Sequence, residues 1–230
     1  MTLEASTQYL RQAGLFSELP AEDLRELAAR MQTRDYATGA IIVGQEDRGD
    51  SLFVVTEGKV KVVLYGESGR EIILSMFRPG ELFGEMSLLD NQPRSASVIA
   101  VEPTKALVLE RAAFERHLKA HPDAALAILA EMSRRLRQAD RVIGNLALLD
   151  VYGRVARLLK DLAQKEGVES EEGVLIRERP TQQEIASMVG SSRETVSRAL
   201  NDFVRRGLVV MNGKQILLRH AFDLRDDEAD

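Results

Sequence analysis

The amino-acid sequence predicts an α+β protein in three parts: a small, jelly-roll-like N-terminal β-roll, one long helix, and a C-terminal winged helix-turn-helix. Short runs of β-forming residues, punctuated by glycines, extend from about residue 38 to 110 and suit an antiparallel roll. A heptad pattern then runs through residues 122–149, which predicts a single helix. Two short helical patterns separated by Gly190 follow. We therefore place the domains at residues 1–121, 122–149 and 150–230.

Length and composition set the outer bounds. The chain has 230 residues, of which 44% are hydrophobic, enough for the cores of one large or two modest domains. It contains no cysteine, which excludes disulfides, thiol catalysis, cysteine-ligated zinc and an iron–sulfur oxygen sensor. The sequence shows neither a signal-peptide pattern nor about 18 consecutive apolar residues, so we expect a cytoplasmic protein without a membrane partner.

The net charge of −5 is unevenly distributed along the chain. Residues 221–230 form an acidic tail in which one Arg faces five acidic residues, a net of −4. Residues 180–220 instead hold six basic and three acidic residues, a net of +3. Positive charge is therefore concentrated in the C-terminal domain, as attraction to a phosphate backbone requires.

Five runs of β-forming residues predict the strands of the roll, with glycines at the turns between them. These runs are residues 41–43, 52–55, 60–64, 72–74 and 106–109. Ahead of the roll, Leu24 and Leu27 stand at helical spacing within residues 20–31. Pro20 lies near the start of this segment, which predicts a helix that caps the roll.

The segment from residue 80 to 98 carries the strongest signal for function. Gly80 and Gly84 let the backbone bend close to a ligand, and a helical turn from Glu85 would point free N–H groups at an anion. Arg94 supplies a planar, permanently charged donor fork, with the Ser95 hydroxyl beside it. A carboxylate beside a phosphate needs another partner, and a ribose 2′-hydroxyl is the obvious one for Glu85. Phosphate and ribose together indicate a nucleotide.

The long helix carries an apolar seam at alternating steps of three and four. The seam is Leu129, Met132, Leu136, Ala139, Ile143 and Leu146. A seam this narrow favours a partner helix, and therefore a parallel homodimer. The alternative is a helix that lies on its own β-roll.

Asp150 ends this helix and can cap the next one, where Val151, Val155 and Leu158 recur at helical spacing. Residues 164–173 are polar and without a periodic pattern, which predicts an exposed loop.

A helix-turn-helix follows. Thr181 and Glu184 form a capping box for its first helix, Gly190 ends that helix at a sharp turn, and Ser192 can cap the second. Two apolar runs, residues 208–210 and 216–218, flank Asn212-Gly213-Lys214 and predict a β-hairpin wing. The second helix is then free to enter a DNA major groove.

On that second helix, Arg193, Glu194 and Arg198 fall on one exposed stripe. An Arg can contact guanine O6 and N7, and a Glu can accept from cytosine N4. A winged helix that binds protein is the alternative. The expected contacts to DNA bases and phosphates are Thr181, Gln183, Ser192, Arg193, Glu194, Ser197 and Arg198.

The run Phe83-Gly84-Glu85-Met86-Ser87-Leu88, followed by Pro93-Arg94-Ser95-Ala96, resembles the phosphate-binding cassette of cyclic-nucleotide-binding domains. From about residue 12 to 220 the chain resembles the CRP/FNR family of bacterial transcription regulators. The resemblance implies ligand contacts from Phe83, Gly84, Glu85, Met86, Arg94 and Ser95.

It also implies a homodimer that binds cAMP, grips double-stranded, palindromic DNA with TGTGA-like half-sites, and contacts RNA polymerase. The alternative within the same fold is a regulator whose roll binds no ligand.

One pair of residues in the long helix departs from the sequence pattern of the cAMP-binding branch of the family. Where that branch places Thr-Ser on the dimer helix to meet the adenine amino group, this chain has Ala139-Asp140. A carboxylate can accept from adenine N6 but better fits the paired N1–H and N2–H donors of guanine. Arg137 and Asp140 also match the short RxxD pattern of cyclic di-GMP sites, although a surface charge pair looks the same. The effector stays open among cAMP, cGMP and cyclic di-GMP.

No nucleophile–base pair stands out, so the sequence favours binding over catalysis. A cyclic-nucleotide-controlled enzyme or channel would need a catalytic domain or a membrane span, and neither is evident. His117 and His121 lie four apart on a helical pattern but lack a third metal ligand nearby, which favours a solvated helix face. We expect no metal ion or haem.

Overall fold

The computed structural model describes residues 1–17, 19–67 and 69–222. The chain divides into two compact units, residues 1–138 and 139–230. The first unit is a β-roll with helices, and the second is a winged helix-turn-helix, which confirms the predicted α+β class. The acidic residues predicted as a tail, from residue 223 onward, lie outside the described residues.

In the described residues of the first unit, helices α1 and α2 precede the roll, which has eight strands and the short helix α3. The bounds are α1 (Leu3–Gln12), α2 (Ala21–Ala29), β1 (Gln32–Tyr36), β2 (Ile41–Val43), β3 (Ser51–Glu57), β4 (Val60–Tyr65), β5 (Glu71–Phe77), β6 (Leu82–Phe83), α3 (Met86–Asp90), β7 (Ser97–Ala100) and β8 (Thr104–Glu110). The strands form two four-stranded antiparallel sheets, in the orders β1-β8-β3-β6 and β2-β7-β4-β5.

Two apolar clusters hold the first unit together. Phe16, Leu24 and Leu107 belong to a cluster that joins the helices to the first sheet. Val55 and Val98 belong to a second cluster that packs between the two sheets. Burial of this apolar area is the main stabilising term for both layers.

The long helix follows a short one. The helices are α4 (Arg111–Ala120) and α5 (Pro122–Leu148). On α5, Ile128 is buried and Met132 packs against the helix-to-sheet cluster of the first unit. The seam residues Leu129, Leu136 and Ile143 remain more than 60% exposed in the single chain. The helix thus lies on its own roll near its start and still presents an uncovered apolar seam.

After the end of α5, the described part of the second unit contains three helices and four strands. They are α6 (Val151–Glu166), β9 (Val168–Ser170), β10 (Gly173–Ile176), α7 (Gln182–Val189), α8 (Arg193–Arg205), β11 (Val209–Asn212) and β12 (Gln215–Arg219). The strands form one antiparallel sheet in the order β11-β12-β10-β9, and β11 with β12 is the predicted wing. Val155, Leu159, Val196 and Phe203 are among its buried core residues.

The exposed loop predicted at residues 164–173 is wrong. Helix α6 continues to Glu166, and β9 then pairs with β10 in a hairpin. Every residue of β9 is exposed, so the strand carries no burial pattern; it is held by backbone pairing with β10 and by the Ser170 hydroxyl, which donates to the Gly173 carbonyl at 2.7 Å. Gly173 has φ +142°, and a Cβ there would lie 2.0 Å from the Leu218 carbonyl oxygen, so β10 can pair this closely only with glycine.

Candidate functional site

The cassette turn is built where β6 ends and α3 begins. Gly84 has φ +86°, and a Cβ at this position would lie 2.8 Å from Arg94 Nη1 and 3.1 Å from the Ser51 carbonyl oxygen. Any larger residue would be strained in its backbone and would push against this guanidinium. The glycine therefore sets how closely the turn approaches Arg94.

Arg94 is 6% exposed and oriented by two backbone carbonyls. Its Nη1 donates to the Gly84 carbonyl at 2.6 Å, and its Nη2 donates to the Ser51 carbonyl at 2.7 Å. Burial lowers the pKa of Arg94 and the nearby carboxylates of Asp50 and Glu85 oppose this, but an arginine stays protonated in any case. The site thus holds a fixed positive charge that is already positioned.

Glu85 lies beside it and is 1% exposed. Its Oε1 accepts a hydrogen bond from Arg135 Nη1 at 2.6 Å, while its buried Oε2 has no hydrogen-bond partner. Burial raises the pKa of Glu85, and the charge of Arg135 acts in the opposite direction. An unpartnered, buried carboxylate oxygen is costly, and a ligand hydroxyl that donates to it would remove this cost.

Sequence reasoning did not identify Arg135. Besides Glu85, its guanidinium binds Glu131 Oε1 at 3.1 Å and the Leu82 carbonyl at 3.2 Å, and it lies over the Phe77 ring at 5.8 Å. In the sequence it is one of several arginines that flank the apolar seam. Only the i, i+4 pair with Glu131 gives a local signal, since Glu85 lies 50 positions away.

The other predicted cassette residues surround this pair. Phe83 is buried and stacks on Phe53 with ring centroids 4.9 Å apart. Met86 and Ser95 are exposed, and the Ser95 hydroxyl lies 3.9 Å from the Met86 sulfur. The structure therefore brings Phe83, Gly84, Glu85, Met86, Arg94 and Ser95 together around one turn.

Arg137 and Asp140 are both exposed on α5. Arg137 lies near the end of the first compact unit and Asp140 near the start of the second. Their role beside a nucleotide base stays a prediction.

The helix-turn-helix has the predicted local geometry. Thr181 and Glu184 exchange the two hydrogen bonds of a capping box, and the Ser192 hydroxyl accepts from the Thr195 amide at 3.2 Å. Gly190 has φ +66°, the left-handed conformation expected at the end of α7. These caps fix where α8 begins.

The start of α8 and the end of the wing form one polar surface. Thr181, Gln183, Ser192, Arg193, Glu194 and Arg198 are exposed, and Ser197 is partly exposed. The Glu194 carboxylate accepts hydrogen bonds from the Glu194 amide and from the Ser192 side chain, and these hold the pKa of Glu194 below its usual range. A shallow cleft is lined by Arg179, Thr181, Gln182, Gln183, Arg193, Gly213 and Lys214. This surface combines positive charge with amide and hydroxyl donors, as contacts to a nucleic-acid backbone require.

The solvated helix face predicted at the two histidines is wrong for His117, which is 7% exposed. Its ring stacks on His121, whose Nδ1 lies 2.8 Å from an Asp23 carboxylate oxygen on α2 and whose side chain stays 29% exposed. Burial lowers the pKa of His117. Within the described ranges, no cluster of three or more His, Cys, Asp or Glu side chains is arranged to hold a metal ion.

Searching the same described ranges for a membrane-spanning helix identifies none that is both long and apolar enough.

A ligand-binding roll joined to a helix-turn-helix defines a sensory DNA-binding protein, and comparison with known families agrees. Residues 33–121 match the cyclic nucleotide-binding domain family, and residues 153–226 match the Crp-like helix-turn-helix domain family. The chain belongs to the CRP/FNR family of transcription regulators. It is a cyclic-nucleotide-binding, DNA-binding regulator and not an enzyme, as the sequence predicted.

Individual relatives extend over almost the whole chain. The CRP-like cAMP-activated global transcriptional regulator of Mycobacterium tuberculosis is 33% identical, with 92% of this chain and 94% of the relative aligned. The cyclic AMP receptor protein of Thermus thermophilus is 37% identical, with 90% and 93% aligned.

Among solved structures, the c-di-GMP responsive global regulator CLP of Xanthomonas campestris matches with a TM-score of 0.75 and 27% identity. The match covers 87% of this chain and 99% of that one.

Proposed function

We propose that this protein is a homodimeric, cytoplasmic transcription regulator that a cyclic nucleotide, bound in the β-roll, switches between states of different DNA affinity. The observation that carries the proposal is the buried pair of Arg94 and Glu85. A fixed cation lies beside a carboxylate oxygen that lacks a partner. This combination suits a ligand that carries both a phosphate and a hydroxyl group.

In this proposal, Arg94 and Ser95 hold the cyclic phosphate with the backbone at Gly84, and Glu85 Oε2 accepts from the ribose 2′-hydroxyl. Phe83 and Met86 line the turn. Arg135 opposes the burial that raises the pKa of Glu85, and it fixes which of the two oxygens faces the sugar, because it occupies Oε1. The cAMP-activated relatives make cAMP the first candidate effector.

A guanine effector is the second candidate. The Xanthomonas structure is described as c-di-GMP responsive, and this chain has an exposed Arg137 and Asp140 in an RxxD spacing. Asp140 is then the residue that selects the base. A regulator of the same fold that needs no ligand is the remaining alternative, which a titration separates from both.

The second unit would read DNA. Arg193, Glu194 and Arg198 would contact base edges, while Thr181, Gln183, Ser192 and Ser197 would position the helix on phosphates. Two such helices in a dimer fit a palindrome with TGTGA-like half-sites. RNA polymerase is the further partner that family membership suggests.

The homodimer is supported by the uncovered seam of α5. Large apolar side chains at Leu129, Leu136 and Ile143 are exposed in one chain, and a second copy would bury them.

Replacing Leu136, which is 64% exposed on the seam, with Glu should dissociate the dimer. Two carboxylates would otherwise be buried opposite each other without counter-charges. Sedimentation equilibrium should give twice the chain mass for the wild type and the chain mass for Leu136→Glu. Ala130→Glu, on the exposed side of the same helix, should remain dimeric. A monomeric wild type would contradict the assignment.

Arg94→Leu should remove nucleotide binding and leave the dimer folded. Losing one charge-assisted contact to phosphate costs on the order of 1.5–3 kcal/mol, roughly tenfold to a hundredfold in affinity. Calorimetric titration with cAMP, cGMP and cyclic di-GMP measures this, with circular dichroism as the check on folding. Arg116→Leu removes an equal charge from an exposed side chain on α4 and should bind normally. Unchanged affinity in folded Arg94→Leu would exclude the cassette.

Arg193→Ala should reduce discrimination between DNA sequences more than overall attraction to DNA. We expect a loss of about 1–3 kcal/mol on the specific site and relaxed preference at one guanine. Lys214→Ala should instead weaken specific and random DNA alike and flatten the salt dependence. Fluorescence anisotropy on both DNAs at several salt concentrations separates the two. Equal losses on both DNAs in Arg193→Ala would show that this residue does not read bases.

Asp140→Ala should weaken binding of a guanine nucleotide and affect cAMP little. A buried donor left without its partner costs roughly 1–3 kcal/mol. Asp140→Ser should shift the preference toward cAMP. Titration of both variants against the three nucleotides tests this, with the exposed Asp35→Ala as the control for lost charge. Equal losses for adenine and guanine ligands, or none for either, would place base recognition elsewhere.

A further inference from the structure

Arg111, the first residue of α4, reaches under the cassette and binds three backbone carbonyls. Its Nη2 donates to Gly49 and Ser87, each at 2.7 Å, and its Nη1 donates to Leu88 at 3.2 Å. The side chain is 23% exposed, and Asp50 lies 3.7 Å from its Nε. A single guanidinium therefore ties the loop before β3 to the helix that follows the cassette turn.

Residues adjoining these two segments hold Arg94. Arg94 donates to Ser51, the first residue of β3, and to Gly84 in the cassette turn before α3. The contact between the segments is close at Gly49, where a Cβ would lie 2.4 Å from the Ser87 Cβ and 2.9 Å from the Arg94 Cζ. Arg111 thus fixes the spacing of the two segments from one side, and Arg94 is held between them.

The backbone reinforces this arrangement. The Arg111 amide donates to the Asp50 carbonyl at 2.8 Å, and the Arg94 amide donates to the Asp47 carbonyl at 2.8 Å. The loop from residue 47 to 51 is therefore attached at both ends to segments that carry an arginine. A shift of this loop would move the Ser51 carbonyl, and the Arg94 fork would move with it.

Arg111 also contributes charge. Its cation opposes that of Arg94 and acts with burial to lower the pKa of Arg94, while Asp50 acts in the opposite direction. The two arginines bind different, neighbouring carbonyls, and both cations attract an incoming anion, against the nearby carboxylates of Asp50 and Glu85.

We propose that Arg111 is a positioning residue for the phosphate: it holds the Gly49–Ser51 loop against the cassette turn, so that Arg94 engages one exocyclic phosphate oxygen in preference to the other. This rests on the proposed function, since it concerns how that same site holds a cyclic phosphate. A cyclic phosphate has two exocyclic oxygens that point in different directions. A guanidinium fixed on one side of the phosphate, as Arg94 would be, contacts these two oxygens unequally.

The Rp and Sp phosphorothioates of cAMP test this directly, because each replaces one of the two oxygens with sulfur, a weaker acceptor. We measure the affinities of wild type, Arg111→Lys and Arg111→Gln for cAMP and for both diastereomers. Wild type should prefer one diastereomer. In Arg111→Gln, cAMP binding should weaken by about tenfold and the Rp/Sp affinity ratio should move toward one.

Arg111→Lys keeps the charge and loses the planar fork. It should recover part of the cAMP affinity while its Rp/Sp ratio stays closer to one than that of wild type. Because Arg111→Lys retains a cation at this partly buried position, it is the variant to measure if Arg111→Gln does not fold. Arg116→Gln, an exposed arginine on the same helix, should change neither quantity.

An Rp/Sp ratio equal to that of wild type in a folded Arg111 variant would overturn the inference, since a residue that only stabilises the fold would leave the ratio unchanged. No Rp/Sp preference in wild type would overturn it as well. If wild type binds cAMP and Arg94→Leu does not, the proposed function stands whatever Arg111 does. A wild type that fails to bind cAMP overturns this inference, and the cGMP and cyclic di-GMP titrations then decide whether the proposed function fails too.

Discussion

The ion pair between Glu85 and Arg135 is the interaction on which the rest of the site depends. Burial of a carboxylate that is 1% exposed raises its pKa and is costly without a counter-charge, and Arg135 supplies the charge that opposes this. The pair joins the cassette turn to α5, and through Glu131 it involves a second arginine, Arg134, on the same helix. A change in how Glu85 is bound is therefore also a change in the surroundings of the helix that carries the apolar seam.

The backbone around the cassette is also held by arginine side chains, which donate hydrogen bonds to its carbonyl groups. Arg94 and Arg111 together bind five backbone carbonyls: Gly49 in the loop before β3, Ser51 at the start of β3, Gly84 in the turn after β6, and Ser87 and Leu88 in α3. Side-chain donors thus satisfy carbonyls at a strand end, in a turn and in a five-residue helix, where regular backbone pairing is incomplete. The cassette is thus rigid because of charged side chains rather than apolar packing alone.

The sequence predicted the features whose signals are local. The capping box at Thr181, the left-handed Gly190 and the cassette glycine at Gly84 each need a particular residue type at a short, fixed spacing. Arg135 and Arg111 were not predicted, because their partners lie up to 62 positions away and only the fold brings them together. The exposed strand β9 was missed for a related reason, since a strand without a buried face shows no alternation.

Arg94 also has a consequence for how selectively the protein can respond. Two carbonyls already orient its guanidinium, so a ligand does not have to immobilise a long, flexible side chain when it binds. Such preorganisation saves conformational entropy, but only for an anion that approaches in the plane of the remaining donors. Small phosphate metabolites that cannot also reach Glu85 gain little from the site. Under the proposed function, discrimination would then come from the preset positions of Arg94 and Glu85 and would not require the protein to rearrange around each candidate.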